Sequence, residues 1–414
     1  MIKKLKGTKD ILPGEVKSWQ RLEDISRKIL KAYGYGEIRT PIIEESALFS
    51  RSVGKQTDIV TKQMYAFKDQ GNRDIALRPE QTASVVRAYL ENRLDKTDGF
   101  IKLFYLGPMF RSERPQKGRL RQFNQVGVEA IGSYSPYLDA EVIILLDKLL
   151  KSYGLKSPLF KINSLGCKDD KESLKSLLNK ELKPNLSKLC DDCKIRYEKN
   201  ILRVLDCKVP TCKSIIQSIS LDNKLCAKCN DEFNTIQSLL KRADVNFQSS
   251  AILVRGLDYY ERVVFEVTVE GLGAQDAVAA GGRYDNLVSE LGGEATGACG
   301  FAIGIERVLE SLSSVDNKIV QEERKGVFIA TIGDEAYKLG FDILLKLRNN
   351  KIESNIDYQK KSLKAQMRYA DKIGARYVVL LGEDEIKKGV CTIKDMSDGT
   401  QEDVEMSKIV ESLC

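Results

Sequence analysis

Residues 110–125 read FRSERPQKGRLRQFNQ, and the interpretation of the fold starts from this stretch. It follows IKLFYL at 101–106, a run rich in β-branched and aromatic residues, and it carries four Arg within eleven residues around Gly118. The pattern predicts a β-hairpin whose loop is rich in Arg. Guanidinium groups bind phosphate oxygens bidentately, so the loop is a candidate phosphate-binding element. A solvated basic hairpin is the alternative interpretation.

Residues 300–307, GFAIGIER, predict a strand that leads directly into a helix. The glycines allow the backbone to approach another group closely. Arg307 falls in the first helical turn, where its charge opposes the helix dipole unless an anion binds beside it. A simple strand–helix junction would give the same pattern.

Two further segments combine Gly, Arg and Tyr: LVRGLDYY at 253–260 and GGRYD at 281–285. Tyrosine offers both a ring face and a hydroxyl group, and such mixtures are typical of sites for small polar molecules. Surface turns of the same composition are also common, so neither segment decides the function alone.

The composition excludes several kinds of catalysis. The 414-residue chain has 66 Lys and Arg, 59 Asp and Glu, and no His, which gives a net charge of +7. Ser-His-Asp and Cys-His catalysis, imidazole bases and His-ligated metal sites are therefore excluded. Arginine stabilises phosphate charge well, so phosphoryl or nucleotidyl transfer is a chemistry that this composition allows.

The patterns along the chain indicate several parts. Residues 18–33 predict an amphipathic helix. Residues 165–245 hold most of the ten Cys and indicate an inserted, mostly helical subdomain. The polar residues 311–325 predict a linker, and strands alternating with helices over 326–414 predict a small α/β domain.

Neither a signal peptide nor an apolar run of 18 residues is recognisable, so we expect a cytoplasmic protein without a membrane partner. In a reducing compartment the cysteines would be thiols or metal ligands. Two CxxC pairs, Cys190/Cys193 and Cys226/Cys229, have the spacing of zinc knuckles and are candidate ligands of a structural zinc ion. A helical insertion with buried thiols is the alternative.

Together, in order and spacing, these segments resemble the signatures of the histidyl-tRNA synthetases, a family of class II aminoacyl-tRNA synthetases. The resemblance runs from KGTKDILP at 6–13 to the terminal α/β domain. The stretch up to Pro41 resembles class II motif 1, which forms the dimer interface in the family. Residues 110–125 resemble motif 2 and residues 300–307 motif 3. The two Gly-Arg-Tyr segments resemble signatures of this synthetase alone.

The resemblance implies an α+β fold, in which an antiparallel sheet flanked by helices carries the helical insertion. Residues 1–325 would form the catalytic domain, with the insertion at about 165–245, and residues 326–414 a C-terminal α/β anticodon-binding domain. The implied reaction activates L-histidine with ATP and Mg²⁺ and transfers it to histidine tRNA. The implied assembly is a homodimer.

Three arginines are implied to bind ATP and to catalyse adenylate formation. Arg111 would hold the α-phosphate, Arg255 would reach it from the other side, and Arg307 would hold the γ-phosphate. This chemistry needs positioning and charge stabilisation rather than an imidazole base.

The implied histidine pocket is polar and aromatic. The residues assigned to it are Glu80, Thr82 and Gln125 for the α-amino group, Glu129 and Tyr260 for the imidazole ring, and Tyr259 and Tyr284 for the pocket wall.

Two regions are implied to contact tRNA. Gln116 and Arg121 would face the acceptor end. The stretch 346–376 carries nine Lys and Arg against three acidic residues and would meet the anticodon stem through phosphates. A solvated helix face is the alternative for this basic stretch.

The chain departs from many family members at Ser112 and Asn124, where they carry His, and no role is assigned to these two positions. The alternative function is that of a related regulatory subunit of ATP phosphoribosyltransferase, which binds histidine without charging tRNA. Such proteins usually lack the anticodon domain and lose motif residues, whereas this chain keeps both.

Overall fold

The computed structural model describes residues 1–54, 57–97, 99–114, 118–221, 225–269, 277–315 and 324–413. It divides into two compact units, Met1–Val315 and Asp316–Cys414. Every helix within these ranges is too short or too polar to cross a bilayer.

The strands of the first unit form a large sheet and a small one. They are β1 (Gly36–Glu37), β2 (Ile43–Glu45), β3 (Tyr65–Lys68), β4 (Asp74–Leu77), β5 (Ile101–Phe110), β6 (Gln122–Ile131), β7 (Leu159–Ser164), β8 (Phe247–Ser249), β9 (Glu261–Thr268), β10 (Ala277–Arg283) and β11 (Ala298–Gly304).

The helices of the first unit flank these sheets or form the insertion. They are α1 (Pro13–Ala32), α2 (Ser46–Ser52), α3 (Thr82–Glu91), α4 (Leu94–Thr97), α5 (Pro136–Tyr153), α6 (Lys168–Leu182), α7 (Asp191–Lys199), α8 (Pro210–Gln217), α9 (Ala227–Arg242), α10 (Leu287–Glu290) and α11 (Ile305–Val315). A π-helical turn spans Ile59–Gln63, and 3₁₀ turns span Lys183–Lys188 and Ile201–Asp206.

Within the described residues the large sheet has eight strands, in the order β1-β5-β6-β11-β10-β9-β7-β8. Its inner pairs are antiparallel, while the two edge pairs, β1 with β5 and β7 with β8, are parallel. The small sheet has the order β2-β4-β3. The predicted α+β class with an antiparallel central sheet is confirmed.

The predicted hairpin is formed by β5 and β6. Phe104 lies opposite Val128, and Phe110 lies opposite Gln122 at the end where the chain turns from β5 to β6. The Arg-rich segment therefore connects the two central strands. The register of the pair determines on which face of the sheet each β6 side chain lies.

Two long helices cover one face of the sheet. Leu22 and Leu30 of α1 and Ile143 and Leu146 of α5 share a buried cluster with Phe104. The predicted helix at 18–33 is confirmed but begins earlier, because Pro13 fits a first helical turn, where a backbone N–H has no partner to lose. Helix α5 is capped by Ser135, whose hydroxyl accepts a hydrogen bond from Tyr137 N at 3.3 Å.

The insertion lies between the adjacent strands β7 and β8 in the chain. Its part before α9 covers the opposite face together with α3, whereas α9 packs against α5. Leu178 and Leu205 of the insertion pack in one cluster with Val86 of α3 and with Tyr259 and Tyr284. The described part of the insertion contains helices and turns, as the sequence predicted. The insertion thus shares its core with the segments that carry the Gly-Arg-Tyr signatures.

The predicted linker at 311–325 is partly wrong. Residues 311–315 belong to helix α11, and Ser311 is fully buried. The apolar spacing of Val308, Leu309 and Leu312 continues the helix beyond the point where the polar composition suggested an end. Residues 316–323 lie outside the described residues.

The second unit is an α/β domain, as predicted. Its strands are β12 (Val327–Thr331), β13 (Ser354–Ile356), β14 (Tyr377–Leu381), β15 (Val390–Asp395) and β16 (Gln401–Glu405), in the order β13-β12-β14-β15-β16. Its helices are α12 (Asp334–Asn349), α13 (Leu363–Lys372), α14 (Glu383–Lys388) and α15 (Ile409–Leu413). The pairs of β12 with β13 and β14 are parallel, and the remaining pairs are antiparallel.

Candidate active site

A pocket of about 200 Å³ opens over the centre of the large sheet. All the residues that the sequence assigned to ATP or histidine line it: Glu80, Thr82, Arg111, Gln125, Glu129, Arg255, Tyr259, Tyr260, Tyr284 and Arg307. They come from α3, the central hairpin, the loop before β9, the end of β10 and the start of α11.

One side of the pocket is cationic. Arg111 donates from Nε to the carbonyl of Pro79 at 2.9 Å, and its guanidinium lies over the Phe123 ring at 5.2 Å from the centroid. Arg307 donates from Nε to Gly118 O at 3.0 Å and also binds Ala277 O. Among the described residues, no carboxylate forms an ion pair with either arginine.

Burial lowers the pKa of Arg307, and repulsion from the guanidinium groups of Arg119 and Arg111 lowers it further. Burial likewise lowers the pKa of Arg111. An anion bound in this part of the pocket would offset the repulsion between the guanidinium groups. It would also compensate the buried positive charges for the water that they have lost. The arrangement is that of an anion-binding site.

Arg255 reaches the same pocket from the loop before β9 and forms an ion pair with Glu266 of β9. Its Nε atom is buried and has no hydrogen-bond partner among the described residues. The ion pair fixes the position of the side chain while leaving one N–H available to a ligand.

The other side of the pocket is built around Glu129 in the middle of β6. Thr82 donates its hydroxyl to Glu129 Oε1 at 2.7 Å, and Tyr284 donates to Oε2. Burial raises the pKa of Glu129 to about 8. In the ligand-free pocket the carboxyl group is thus mostly protonated at neutral pH, and a bound group that donates to it would favour the ionised form.

Three tyrosines form the wall beside Glu129. The Tyr259 ring centroid lies 4.7 Å from that of Tyr260 and 5.6 Å from that of Tyr284. Burial raises the pKa of Tyr260 to about 12, so its hydroxyl stays protonated and can donate a hydrogen bond. Together with Glu129 these groups offer a flat polar ligand an acceptor, a hydroxyl donor and an aromatic wall.

Glu80 and Gln125 lie between the cationic and acidic sides. Glu80 accepts from Thr82 N at 2.7 Å and from Ala83 N at 3.0 Å, so it also holds the first turn of α3. Gln125 Oε1 is buried without a partner among the described residues. A buried amide oxygen in a pocket is available to a donor such as an ammonium group.

Arg121, which was assigned to the tRNA acceptor end, is not among the residues that line the pocket. Arg121 lies at the start of β6, where its backbone N–H donates to Gly7 O at 2.6 Å and its Nε to Glu113 O at 3.3 Å. Gln116 lies outside the described residues.

The two positions without an assigned role differ in their surroundings. The Ser112 backbone N–H donates to Gln63 O at 2.6 Å. Asn124 donates from its backbone N at 2.9 Å and from Nδ2 at 3.1 Å to Glu306, a carboxylate that lines the pocket. Asn124 therefore ties β6 to the first turn of α11.

Arg283, in the GGRYD segment, is not a pocket residue. It is 1% exposed and forms ion pairs with Asp139 of α5 and with Asp285, both at 2.9 Å. It also donates to Ser133 O at 2.8 Å. Its partners satisfy the buried charge, so Arg283 is structural, while Tyr284 beside it faces the pocket.

Sequence reasoning missed several lining residues, including Tyr105. Tyr105 lies opposite Gly127 across the β5–β6 pair, and a Cβ atom at Gly127 would lie 2.3 Å from the Tyr105 hydroxyl. A glycine inside a predicted strand signals such a close approach and could have identified this position. Glu113, Arg119 and Glu306, which also line the pocket, were missed, as was Glu266, which pairs with Arg255. Nothing in their spacing distinguishes these residues from surface charges.

The predicted zinc ligand set is wrong. The structure separates the two CxxC pairs: Cys190 and Cys193 lie with Cys207 and Cys212, while Cys226 and Cys229 lie with Cys167 and Asp170. The reason is the folding of the insertion, because the 3₁₀ turn Ile201–Asp206 packs against α7, whereas the start of α9 meets the start of α6.

The comparisons with known proteins agree with this geometry. The family described as Histidyl-tRNA synthetase matches residues 7–308, and the family described as Anticodon binding domain matches residues 326–413. A histidine–tRNA ligase of Desulfitobacterium hafniense is 47% identical over 412 residues, covering 99% of this chain and 97% of the relative. One of Thermodesulfovibrio yellowstonii is 46% identical over 408 residues, covering 98% and 97%.

Among solved structures, the apo histidyl-tRNA synthetase of S. aureus is 34% identical and covers 100% of both chains with a TM-score of 0.82. The antiparallel sheet, the arginine-lined pocket above it and the C-terminal domain define a class II aminoacyl-tRNA synthetase. Within that class, the chain belongs to the histidyl-tRNA synthetase family.

Proposed function

We propose that this protein is a histidine–tRNA ligase. It activates L-histidine with ATP to give histidyl-adenylate and pyrophosphate, and then transfers histidine to the 3′ end of its tRNA. The observation that carries the proposal is that three arginines from distant parts of the chain, Arg111, Arg255 and Arg307, share one pocket with Glu129 and Tyr260.

The cationic side of the pocket binds the triphosphate. By the family resemblance, Arg111 holds the α-phosphate and Arg307 the γ-phosphate. Neither guanidinium is neutralised by a described carboxylate, which supports phosphate binding by both. Arg255, held by Glu266, contacts the α-phosphate from the opposite side. The histidine carboxylate attacks that phosphorus in line, and the arginines stabilise the charge that develops on its oxygens.

Magnesium accompanies ATP in this proposal and supplies charge neutralisation at the phosphates. The pocket contains oxygen ligands of the kind that Mg²⁺ prefers, in the carboxylates of Glu113 and Glu306. Glu113 also lies 3.3 Å from Arg119 Nε, and this contact holds its carboxylate at the edge of the cationic side.

The acidic side of the pocket binds histidine. Glu129 accepts from one imidazole nitrogen, and the hydroxyl of Tyr260 donates to the other. Tyr259 and Tyr284 form the wall, and Glu80, Thr82 and Gln125 bind the α-amino group. An amino acid without both ring nitrogens leaves buried polar groups unpaired, which can reject it by roughly 10⁴-fold.

The remaining assignments concern tRNA and assembly. Residues 1–325 act as the catalytic domain, with the insertion at about 165–245, and residues 326–414 bind the anticodon region, supported by the match at 326–413. Gln116 and Arg121 face the acceptor end, and the basic stretch 346–376 contacts phosphates. Two copies form a homodimer through the stretch up to Pro41. Light scattering, which measures the mass of the particle in solution, tests this assembly.

The decisive experiment is histidine-dependent exchange of pyrophosphate into ATP. We expect exchange with histidine alone among the amino acids, abolished by Arg255→Ala. A wild-type protein that binds histidine but is silent in this assay would be a regulatory subunit instead, and the proposal would be wrong.

A further inference from the structure

The insertion contains two compact groups of potential metal ligands outside the active site. The first, cluster A, consists of Cys190, Cys193, Cys207 and Cys212, and the second, cluster B, of Cys167, Asp170, Cys226 and Cys229. Within each cluster the four ligand atoms lie within 4.8 Å of one another. The described cysteines are all free thiols, so neither cluster is a pair of disulfides.

The geometry of cluster A suits one tetrahedral ion. A Zn–S bond of about 2.3 Å implies an edge of about 3.8 Å between two sulfurs of a tetrahedron. Cys190 Sγ and Cys207 Sγ lie 3.8 Å apart. The backbone N–H of Cys190 also donates to Cys212 Sγ at 3.2 Å, a contact that would stabilise a metal-bound thiolate. Three of the four cysteines are buried.

Cluster B joins the first turns of two helices. Cys167 precedes α6 and Cys226 precedes α9, while Asp170 and Cys229 follow within the first turn of each. Asp170 accepts from Cys226 N at 2.9 Å and from Cys167 N at 3.2 Å, which orients its carboxylate toward the three sulfurs. Three thiolates and a carboxylate are a ligand set that zinc accepts in tetrahedral sites.

Both clusters lie next to elements that hold the loop 255–260. Beside cluster A, Arg203 donates to Gly256 O at 3.3 Å, and Asn200 donates to Asp258 Oδ1 at 2.7 Å. Beside cluster B, Lys171 of α6 donates to Tyr260 O at 3.0 Å and to Asp258 O at 3.4 Å. This loop carries Arg255, Tyr259 and Tyr260 into the pocket.

We propose that the insertion binds two structural zinc ions, one in each cluster, and that these ions position the loop 255–260 from its two sides. The chain offers no imidazole, so thiolates supply seven of the eight ligands. The metal sites do not depend on the proposed function, whereas their effect on histidine binding rests on it.

The first test is the metal content of the full-length protein, purified without chelator and without added metal. Elemental analysis is expected to give two zinc per chain. Cys190→Ser/Cys207→Ser should lose one and Cys167→Ser/Cys226→Ser the other, whereas Cys391→Ser, at a buried cysteine of the second unit, should keep both. Zinc near one or zero, or iron in its place, overturns the proposal.

A second measurement needs no variant and so does not depend on variant folding. A mercurial reagent added to the native wild-type protein, with a zinc-sensitive dye present, should release two equivalents as the thiols react. Cobalt substituted for zinc should show the strong sulfur-to-cobalt absorption of tetrahedral thiolate sites. Release of fewer than two equivalents overturns the two-site proposal.

The positioning effect is tested through Lys171, which touches the loop but belongs to neither cluster. Lys171→Met should keep two zinc and raise the KM for histidine roughly tenfold or more, with little change in the KM for ATP. Lys180→Met, at an exposed position of the same helix, should change neither constant. An unchanged histidine KM in Lys171→Met overturns the positioning role. If the wild type shows no pyrophosphate exchange, the proposed function is wrong. The two metal sites are then tested by the zinc content alone.

Discussion

Glu129 lies opposite Gly300 across the antiparallel pair β6–β11, and a Cβ atom at position 300 would lie 2.2 Å from Glu129 Oε2. The same atom would lie 2.2 Å from Val128 O. Gly300 therefore leaves the space that the carboxyl group occupies.

Gly300→Ala is the first test of this relationship. We expect the added methyl group to displace Glu129 and the β6 backbone, lowering the free energy of unfolding by about 1–3 kcal/mol and weakening histidine binding. Urea unfolding and calorimetric titration with histidine measure the two effects. Gly14→Ala, in helix α1 where nothing lies within 4 Å of the added carbon, should leave histidine binding unchanged and should not lower the free energy of unfolding. Wild-type histidine affinity in Gly300→Ala would contradict the packing argument.

The raised pKa of Glu129 predicts a pH dependence of stability. The folded protein holds this proton up to about pH 8, whereas an unfolded glutamate releases it near 4.5. The folded state therefore binds more protons between these values, and the stabilisation is full below pH 4.5 and is lost as the pH rises toward 8. The slope from one such group is about 1.4 kcal/mol per pH unit.

Glu129→Gln removes this titration. Across pH 5 to 8 without ligand, the unfolding free energy of the wild type should fall more steeply than that of the variant. Glu294→Gln, at an exposed carboxylate, should follow the wild type. Parallel curves for Glu129→Gln and the wild type would show that Glu129 has an ordinary pKa.

The cationic side of the pocket predicts a selective loss of ATP use. Arg307→Gln should lower kcat/KM for ATP in pyrophosphate exchange by about 10²–10³-fold, because a preorganised charge at the phosphates is removed. Arg51→Gln, an exposed arginine of α2, should retain wild-type kinetics. An unchanged kcat/KM for ATP in Arg307→Gln would place the triphosphate elsewhere.

The basic stretch of the second unit predicts salt-dependent tRNA binding. Lys364→Ala/Arg368→Ala removes two exposed charges of this stretch and should weaken binding at low salt and reduce the slope of log K against log salt by about two. Lys387→Ala/Lys388→Ala makes the same charge change outside the stretch and should leave the slope unchanged. Equal slopes for the two double variants would identify the stretch as a solvated surface.

The sequence predicted the strands and helices with strong local patterns, and motif order predicted which segments meet. The hairpin at 110–125, the strand–helix junction at Arg307 and the α/β order of the second unit depend on periodicity and turn residues, which are local. The convergence of ten predicted residues on one pocket followed from the family resemblance, because spacing alone gives no distances.

The parts that sequence reasoning missed depend on contacts between distant segments. Tyr105 enters the pocket only because Gly127 faces it on the neighbouring strand. The prediction that the two CxxC pairs share one metal ion was wrong, because the partners of each pair depend on how the insertion folds back. The spacing Cys167-x₂-Asp170, which mixes a thiol with a carboxylate, does not match the usual zinc pattern of two cysteines. The end of α11 was misplaced because Ser311 is polar yet buried.

Arg283 and Tyr284 are neighbours in sequence, but one holds the end of β10 against α5 and the other touches Glu129. Recognition of the amino acid and attachment of the covering helix are thus separated by a single peptide bond. A redesign of the pocket for a different amino-acid substrate can replace Tyr284. It must leave Arg283 and its partners Asp139 and Asp285 unchanged, because their loss would displace the strand that carries the new pocket residue.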